Sequence, residues 1–342
     1  RQRQMCIRDR LTSYERPYPM LVLTGGDCFE RPDLVDLIEY AVGKGLHVSI
    51  SPSVTPLFTR ERVKAVQDAG VSVMSMSLDG GSAETHDAFR GFPGTFDRTI
   101  EACHMLNELG MRFQLNTVFT AKNIHEAPQM LKNAIDLGAF MFYTFMLVPT
   151  GRGQHLDMLT PHEREDVLHW LHDNSTRIAI KTTEAPQYRR IAFQREAVRQ
   201  GKAAPAKHGE LYHWLTKETH ELLGENIEEP RPPRTPLAIN SGSGFAFIDH
   251  TGDVYPSGFL PIHCGSIKDT PFPQIYRESE VFRALRNPSG FEGKCGACEF
   301  NHFCGGSRST AYAMTGNYLA SDPSCAHIPA GYTGELPEGI ER

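Results

Sequence analysis

Short apolar runs alternate with amphipathic segments along the first half of the chain. Such runs are typical of strands buried in a parallel sheet, and a period of 3.6 residues is typical of helices that cover it. Repeated strand–helix units with short connections predict an α/β fold, either doubly wound or barrel-shaped. The predicted strands are 20–24, 46–50, 71–78, 111–120 and 140–148, and the predicted helices are 31–45, 59–69, 95–109 and 123–137.

After residue 149 the pattern changes. Residues 160–180 and 186–224 predict helices, whereas 225–236 is a charged, proline-rich linker. Residues 245–256 alternate as a β-hairpin. The segment 290–330 has too few apolar residues for a core of its own, so we expect a metal to hold its shape. We place a domain boundary near 235, which gives three parts: 1–10, 11–235 and 236–342.

The chain begins with Arg1, and residues 1–10 have neither strand nor helix periodicity. They also lack the apolar stretch of a signal peptide. We interpret them as a non-native start left by sequence assembly, and we expect the natural N-terminus to be missing. The alternative is a short disordered arm.

Composition excludes several classes of function. The 342 residues carry 35 Lys and Arg against 41 Asp and Glu, so no basic surface for nucleic acid is expected. No apolar run approaches the roughly 20 residues of a membrane span. Eight cysteines without a secretory signal do not predict a disulfide framework. We therefore expect a cytoplasmic protein with no membrane or nucleic-acid partner.

Four of the cysteines crowd into one short region, with the spacing Cys295-x2-Cys298-x5-Cys304-x20-Cys325. A CxxC pair can chelate one metal centre from a single turn, and two further thiolates complete four ligands. Ligand type alone leaves zinc and an iron–sulfur cluster equally open. His302, inside the x5 gap, is an alternative ligand.

The stretch CGACEFNHFCGGSRSTAYAMTGNYLASDPSC (295–325) resembles the SPASM segment of radical SAM enzymes, and HTGDVYPSGFLP (250–261) is similar to the segment that precedes it. TGGD (24–27), SLDG (77–80), HDAFRG (86–91) and GTF (94–96) are similar to motifs of the same family. The resemblance covers about residues 20–330. It implies a partial (β/α)6 TIM-like barrel that lacks its first β/α unit, followed by a Cys-rich SPASM domain.

The resemblance also implies cofactors. The four clustered cysteines would bind an auxiliary [4Fe–4S] cluster, and S-adenosylmethionine would lie at the carboxyl ends of the strands. The acidic residue of the GGD motif would accept hydrogen bonds from the cofactor's ammonium group, although Asp has a shorter reach than the usual Glu. The expected contacts are Gly25, Gly26, Asp27, Ser77 and Arg90, with Ser51 and Asn116 as weaker candidates.

Two features depart from the fullest members of the family. Those members hold a second auxiliary cluster, but here two of its cysteine positions are Ser257 and Arg308, and Cys264 alone cannot replace them. We therefore expect one auxiliary cluster. The CxxxCxxC loop of the catalytic [4Fe–4S] cluster occurs nowhere in the 342 residues, so that cluster is expected only in the complete protein, and this chain is expected to be inactive.

For the complete protein, the resemblance implies that a 5′-deoxyadenosyl radical abstracts hydrogen from a substrate, with ferredoxin or flavodoxin as reductant. We favour oxidative decarboxylation of a small molecule or a haem-type precursor. The alternatives are a maturase of ribosomal peptides and a non-catalytic scaffold with structural zinc or Fe–S. Ser257 and Gly258 stand where sulfatase-maturing relatives carry a general-base Asp, which argues against that activity.

Overall fold

The computed structural model of the chain describes residues 19–227, 230 and 238–341. Six parallel strands form one sheet in the order β1-β2-β3-β4-β5-β6, and two short strands pair as an antiparallel hairpin. Within the described residues the sheet stays open between β1 and β6. The strands are β1 Leu21–Leu23, β2 Val48–Ile50, β3 Val71–Ser77, β4 Phe113–Phe119, β5 Met141–Met146, β6 Ala179–Thr183, β7 Phe247–Ile248 and β8 Val254–Tyr255.

Helices separate these strands and dominate the second half of the chain. They are α1 Leu34–Gly43, α2 Arg60–Asp68, α3 Ala83–Arg90, α4 Thr95–Glu108, α5 Ala127–Asp136, α6 Pro161–Asp173, α7 Gln187–Arg199, α8 Glu210–Leu223, α9 Phe272–Glu278, α10 Glu280–Leu285, α11 Gly293–Ala297 and α12 Arg308–Thr315. Side chains cap several of them: Thr59 accepts from the Arg62 amide, and Thr160 forms a capping box with Glu163.

The α/β fold class and the five predicted strands are confirmed, and the structure adds a sixth strand. The prediction of a helix over 160–180 is wrong at its end, because α6 stops at Asp173 and β6 begins at Ala179. The sequence Ala-Ile-Lys-Thr-Thr of β6 is rich in β-branched residues, which favour strands. The helix predicted over 186–224 divides into α7 and α8, because Gly201 takes a positive φ of 70°.

The described residues fall into two compact units. The first runs to Thr117 and includes His125–Tyr143; the second contains Val118–Ile124 and the chain from Thr144 onward. The boundary near 235 stays a prediction. Residues 1–10, which we interpret as a non-native start, lie outside the described residues, and so does most of the linker at 225–236.

Alternating burial in the sheet decides which side chains remain accessible. In β4, Phe113, Leu115 and Thr117 are buried, whereas Gln114 and Asn116 are half-exposed. One face of this central strand is therefore open and polar, as a ligand site requires. Among the described residues, no helix is both long and apolar enough to cross a membrane.

Candidate functional site

The loop that follows β1 presents bare backbone to solvent. Gly25 and Gly26 have φ angles of 96° and 51°, which L side chains rarely adopt. Both are exposed, and a Cβ built on either would meet no atom within 4 Å. The positive φ explains why glycine stands here, and the open space lets a ligand approach the main chain.

Asp27, next in the chain, is buried and bridges two loops. Its Oδ1 accepts hydrogen bonds from the amides of Phe29 (3.1 Å) and Ser53 (3.3 Å), and its Oδ2 accepts one from Thr55 Oγ1 at 2.6 Å. The loop after β1 is thereby fixed to the loop after β2. A carboxylate offers about four acceptor sites, so about one remains for a ligand ammonium group.

The contribution of Asp27 to cofactor binding can be separated from its contribution to the loop. We expect Asp27→Asn to weaken S-adenosylmethionine binding about tenfold or more, because hydrogen bonds to a charged group contribute about 1.5–3 kcal/mol. Thr55→Val keeps the carboxylate and removes one loop contact, so it should cost only about twofold to threefold, less than one neutral hydrogen bond. Isothermal titration calorimetry measures both.

Asp33→Asn is the matched control, because that nearby carboxylate pairs with Arg31 (Nε–Oδ1 2.7 Å) and its loss should leave affinity unchanged. Equal losses in Thr55→Val and Asp27→Asn would contradict a direct contact and leave Asp27 as a loop anchor alone.

Ser77, the last residue of β3, is the register partner of Asn116, which lies in the middle of β4. The hydroxyl of Thr117 donates to the carbonyl of Leu78 at 2.6 Å and fixes the chain just beyond β3. Ser51 directly follows β2, and its amide donates to the Leu23 carbonyl at 2.9 Å. Ser51 and Ser77 therefore lie at strand ends as predicted, whereas the prediction that Asn116 ends its strand is wrong, because β4 continues to Phe119.

Arg90, the last residue of α3, pairs with the buried carboxylate of Asp79 (Nη2–Oδ2 2.5 Å). Its side chain is 38% exposed, so part of the guanidinium remains available to a ligand carboxylate. His86 accepts from the Asp79 amide through Nδ1 at 3.0 Å, and burial lowers the pKa of this histidine. His86 thus holds the backbone of Asp79, and the side chain of Asp79 orients Arg90.

The four clustered cysteines line one small cavity, of about 20 Å³. The chain around them is tight: a Cβ on Gly296 would lie 2.0 Å from the Phe291 carbonyl oxygen, and one on Gly306 would lie 3.0 Å from Cys295 Sγ. Gly305 and Gly306 also have φ near 70°. The glycines beside the cysteines are therefore required for the sulfurs to converge.

Burial strongly affects these thiols. It raises the pKa of Cys304 to about 11 and that of Cys325 to about 12, and it raises the pKa of Cys298. The positive charges of Arg190 and Lys294 lower the pKa of Cys325 but do not outweigh burial. The raised pKa values mean that Cys298, Cys304 and Cys325 hold their protons at neutral pH when no metal is bound. A soft metal that displaces protons fits this four-sulfur set.

The structure places His327, rather than His302, beside the cysteines. His302 is exposed and does not line the cavity, so its selection as the alternative ligand is corrected. His327 does line it, and the ligand atoms of Cys298, Glu299 and His327 lie within 4.8 Å of one another. Its position two residues after Cys325 is the signal that sequence reasoning missed.

Ser257 and Arg308 stand where the fullest members of the family have cysteines of a second cluster. A hydrogen-bonded network surrounds these two positions. Ser307 and Ser309, on either side of Arg308, donate to the Glu184 carboxylate, the latter at 3.0 Å, and Ser257 Oγ lies 3.5 Å from it. Burial raises the pKa of Glu184, whose φ of 56° is positive. Cys264 is half-buried and does not line the cysteine cavity. Hydroxyls and a carboxylate therefore occupy this region.

Comparison with known proteins gives a consistent result. A family model described as the Radical SAM superfamily matches residues 7–134. The AdoMet-dependent heme synthase of Oleidesulfovibrio alaskensis is 39% identical over 315 residues, which are 91% of this chain and 75% of that protein. The enzyme of the same name from Methanosarcina barkeri is also 39% identical, over 91% and 83% of the two chains.

More distant similarities follow. A PqqA peptide cyclase of Rhodopseudomonas palustris is 26% identical over 90% of this chain and 73% of its own. Among solved structures, Streptococcus suis SuiB bound to S-adenosylmethionine superposes with a TM-score of 0.63 at 12% identity, over 95% of this chain and 70% of that one. The latter similarity establishes the fold alone.

Proposed function

This chain belongs to the radical SAM superfamily, and we propose that its chemistry is the oxidative decarboxylation of a haem-type precursor. The observation that supports this proposal is the 39% identity to two AdoMet-dependent heme synthases, against 26% to a peptide cyclase over nearly the same span. The chain spans at least three quarters of both synthases.

The proposed reaction acts on a carboxyethyl side chain. Removal of one hydrogen atom from the chain carbon, loss of CO2 and transfer of one electron to an acceptor leave a vinyl group. S-adenosylmethionine with a reduced iron–sulfur cluster supplies the hydrogen-abstracting chemistry when both are bound.

In this proposal the chain's own residues position the cofactor. The exposed backbone of Gly25 and Gly26 and the carboxylate of Asp27 hold the ammonium end of S-adenosylmethionine. Ser77 and the Asp79-oriented guanidinium of Arg90 hold its carboxylate, which suits a planar fork of donors. Ser51 and Asn116 complete the polar site. Cys295, Cys298, Cys304 and Cys325 hold the auxiliary cluster.

Product analysis on the protein completed with a CxxxCxxC segment tests the substrate class. With S-adenosylmethionine, dithionite and an iron-bound carboxyethyl porphyrin, we expect loss of CO2 and two hydrogens per reacted side chain by mass spectrometry. The control is the same porphyrin esterified at its carboxyl groups, which cannot lose CO2.

A precursor peptide serves as the competing substrate in the same assay. Turnover of the peptide with an unchanged porphyrin would overturn the decarboxylation proposal in favour of peptide modification. Formation of CO2 from the free porphyrin alone supports it.

A further inference from the structure

Two buried cations lie beside the clustered cysteines: Lys294 lines their cavity, and Arg308 contacts the sulfur of Cys295. Arg308 is 0% exposed and Lys294 is 2% exposed. Within the described part of the chain, neither forms an ion pair with Asp or Glu, although the buried Arg190 does. An isolated charge is very costly to bury, so these two residues require a negative group nearby.

The carboxylates around the cavity are already engaged elsewhere. Glu165 pairs with Arg190 at 2.6 Å, and its charge raises the pKa of that arginine. Burial lowers the pKa of Arg164, and the charges of Asp322 and Glu184 oppose that effect. Glu165 therefore pairs with Arg190 and Glu299 with His327 (3.0 Å), and among the described residues no acid pairs with Lys294 or Arg308.

The guanidinium of Arg308 donates to backbone carbonyls and to one cysteine sulfur. Arg308 Nη2 lies 3.4 Å from Cys295 Sγ, while its Nη1 donates to the carbonyls of Tyr318 (3.1 Å) and Ala320 (2.8 Å). The guanidinium also lies over the ring of Phe291, with Cζ 4.6 Å from the centroid. These contacts hold the guanidinium in one orientation, with Nη2 next to the sulfur of Cys295.

Lys294 approaches the cavity from a different side. It sits in α11 beside Cys295, and its Nζ donates to the carbonyl of Cys325. The sulfurs receive backbone donors as well, from Asp322 N to Cys295 Sγ (3.3 Å) and from Phe300 N to Cys298 Sγ (3.4 Å). Backbone N–H groups and the two cations therefore surround the sulfurs with positive ends of dipoles and positive charge.

We propose that Arg308 and Lys294 are the built-in counter-cations of a four-thiolate metal centre. Four thiolates around one zinc ion or one oxidised [4Fe–4S] cluster leave a net charge of about −2, which two buried cations offset. With an iron–sulfur cluster, the same cations stabilise the more negative reduced state and raise its potential. The inference rests on the metal site and is independent of the substrate.

Removing one cation should have opposite effects on the metal-loaded and metal-free protein. In loaded Arg308→Met, we expect release of metal to a chelator to be about tenfold faster or more, by analogy with other metal-supporting contacts. In metal-free Arg308→Met, we expect unfolding at higher urea concentration than the metal-free parent, because the unpaired buried charge is gone.

For an iron–sulfur cluster, the midpoint potential gives a third measurement. We expect Arg308→Met to lower the midpoint potential by at least about 59 mV, which corresponds to a tenfold change in the one-electron reduction constant. Arg308→Lys keeps the charge and should hold the potential nearer to that of the parent. Lys294→Met, with the same measurements, is an independent test if Arg308→Met does not fold.

Arg286→Met is the matched control, because its guanidinium also stacks over a ring, Tyr276, at 4.6 Å. Unlike Arg308, it donates to the carbonyls of Gly242 and Arg277 and not to a cysteine sulfur, so metal release and potential should match those of the parent. The proposal is overturned if the parent binds no metal, if Arg308→Met and Lys294→Met release metal at the parental rate, or if both are less stable than the parent when metal-free.

Discussion

Anaerobic reconstitution of this chain is expected to give about four iron and four sulfide per polypeptide, the content of one [4Fe–4S] unit, with broad absorbance near about 400 nm. The four converging cysteines supply one complete set of ligands. Ser257 and Arg308 occupy the two positions that a second cluster would need, and both are already hydrogen-bonded within the protein.

Cys298→Ala is expected to lose most of that iron, because one iron of the cluster loses its protein ligand. Cys264→Ala is the control: the thiol is also half-buried, but it bonds to the Ile262 carbonyl (3.4 Å) and lies outside the cavity. Iron and sulfide analysis measures both variants. About eight iron per chain, iron loss in Cys264→Ala, or colourless protein with stoichiometric zinc would contradict the assignment.

The second large effect concerns cleavage of S-adenosylmethionine. We expect this chain to bind the cofactor weakly and to form no 5′-deoxyadenosine, because none of its eight cysteines lies in a CxxxCxxC loop. Grafting a strand and CxxxCxxC loop from a radical SAM enzyme onto residue 11 should restore 5′-deoxyadenosine formation under dithionite. Chromatography of the quenched reaction measures the product.

The matched control for the graft is the same segment with its three cysteines changed to alanine. It supplies the same strand and loop but cannot hold the cluster that carries the electron. Formation of 5′-deoxyadenosine by the ungrafted chain, or by this cysteine-free graft, would refute our explanation of the inactivity.

Features that depend on nearby residues could be predicted from the sequence. The apolar runs of β3 and β4 identify buried strands, and the spacing of Cys295 and Cys298 places two ligands on one turn. β6 escaped prediction because it follows α6 with few intervening residues and no glycine or proline to separate them.

Features that depend on distant partners could not be predicted. Glu184 meets Ser307, more than a hundred residues away, and Glu184 lies in none of the motifs found in the sequence. The same holds for Arg308, since nothing local predicts that a charged side chain will be fully buried with sulfur as an acceptor. Charge balance in a core depends on the three-dimensional fold.

In the segment from Gly293 to His327, we propose that positive and negative charges balance only when metal is bound. This has a consequence for the protein's lifetime in the cell. A segment that gains folding free energy from metal loses it when the metal is scarce. Under iron starvation, the unloaded chain would open locally and become a target for proteases. Its abundance would then follow the iron supply without a dedicated regulator.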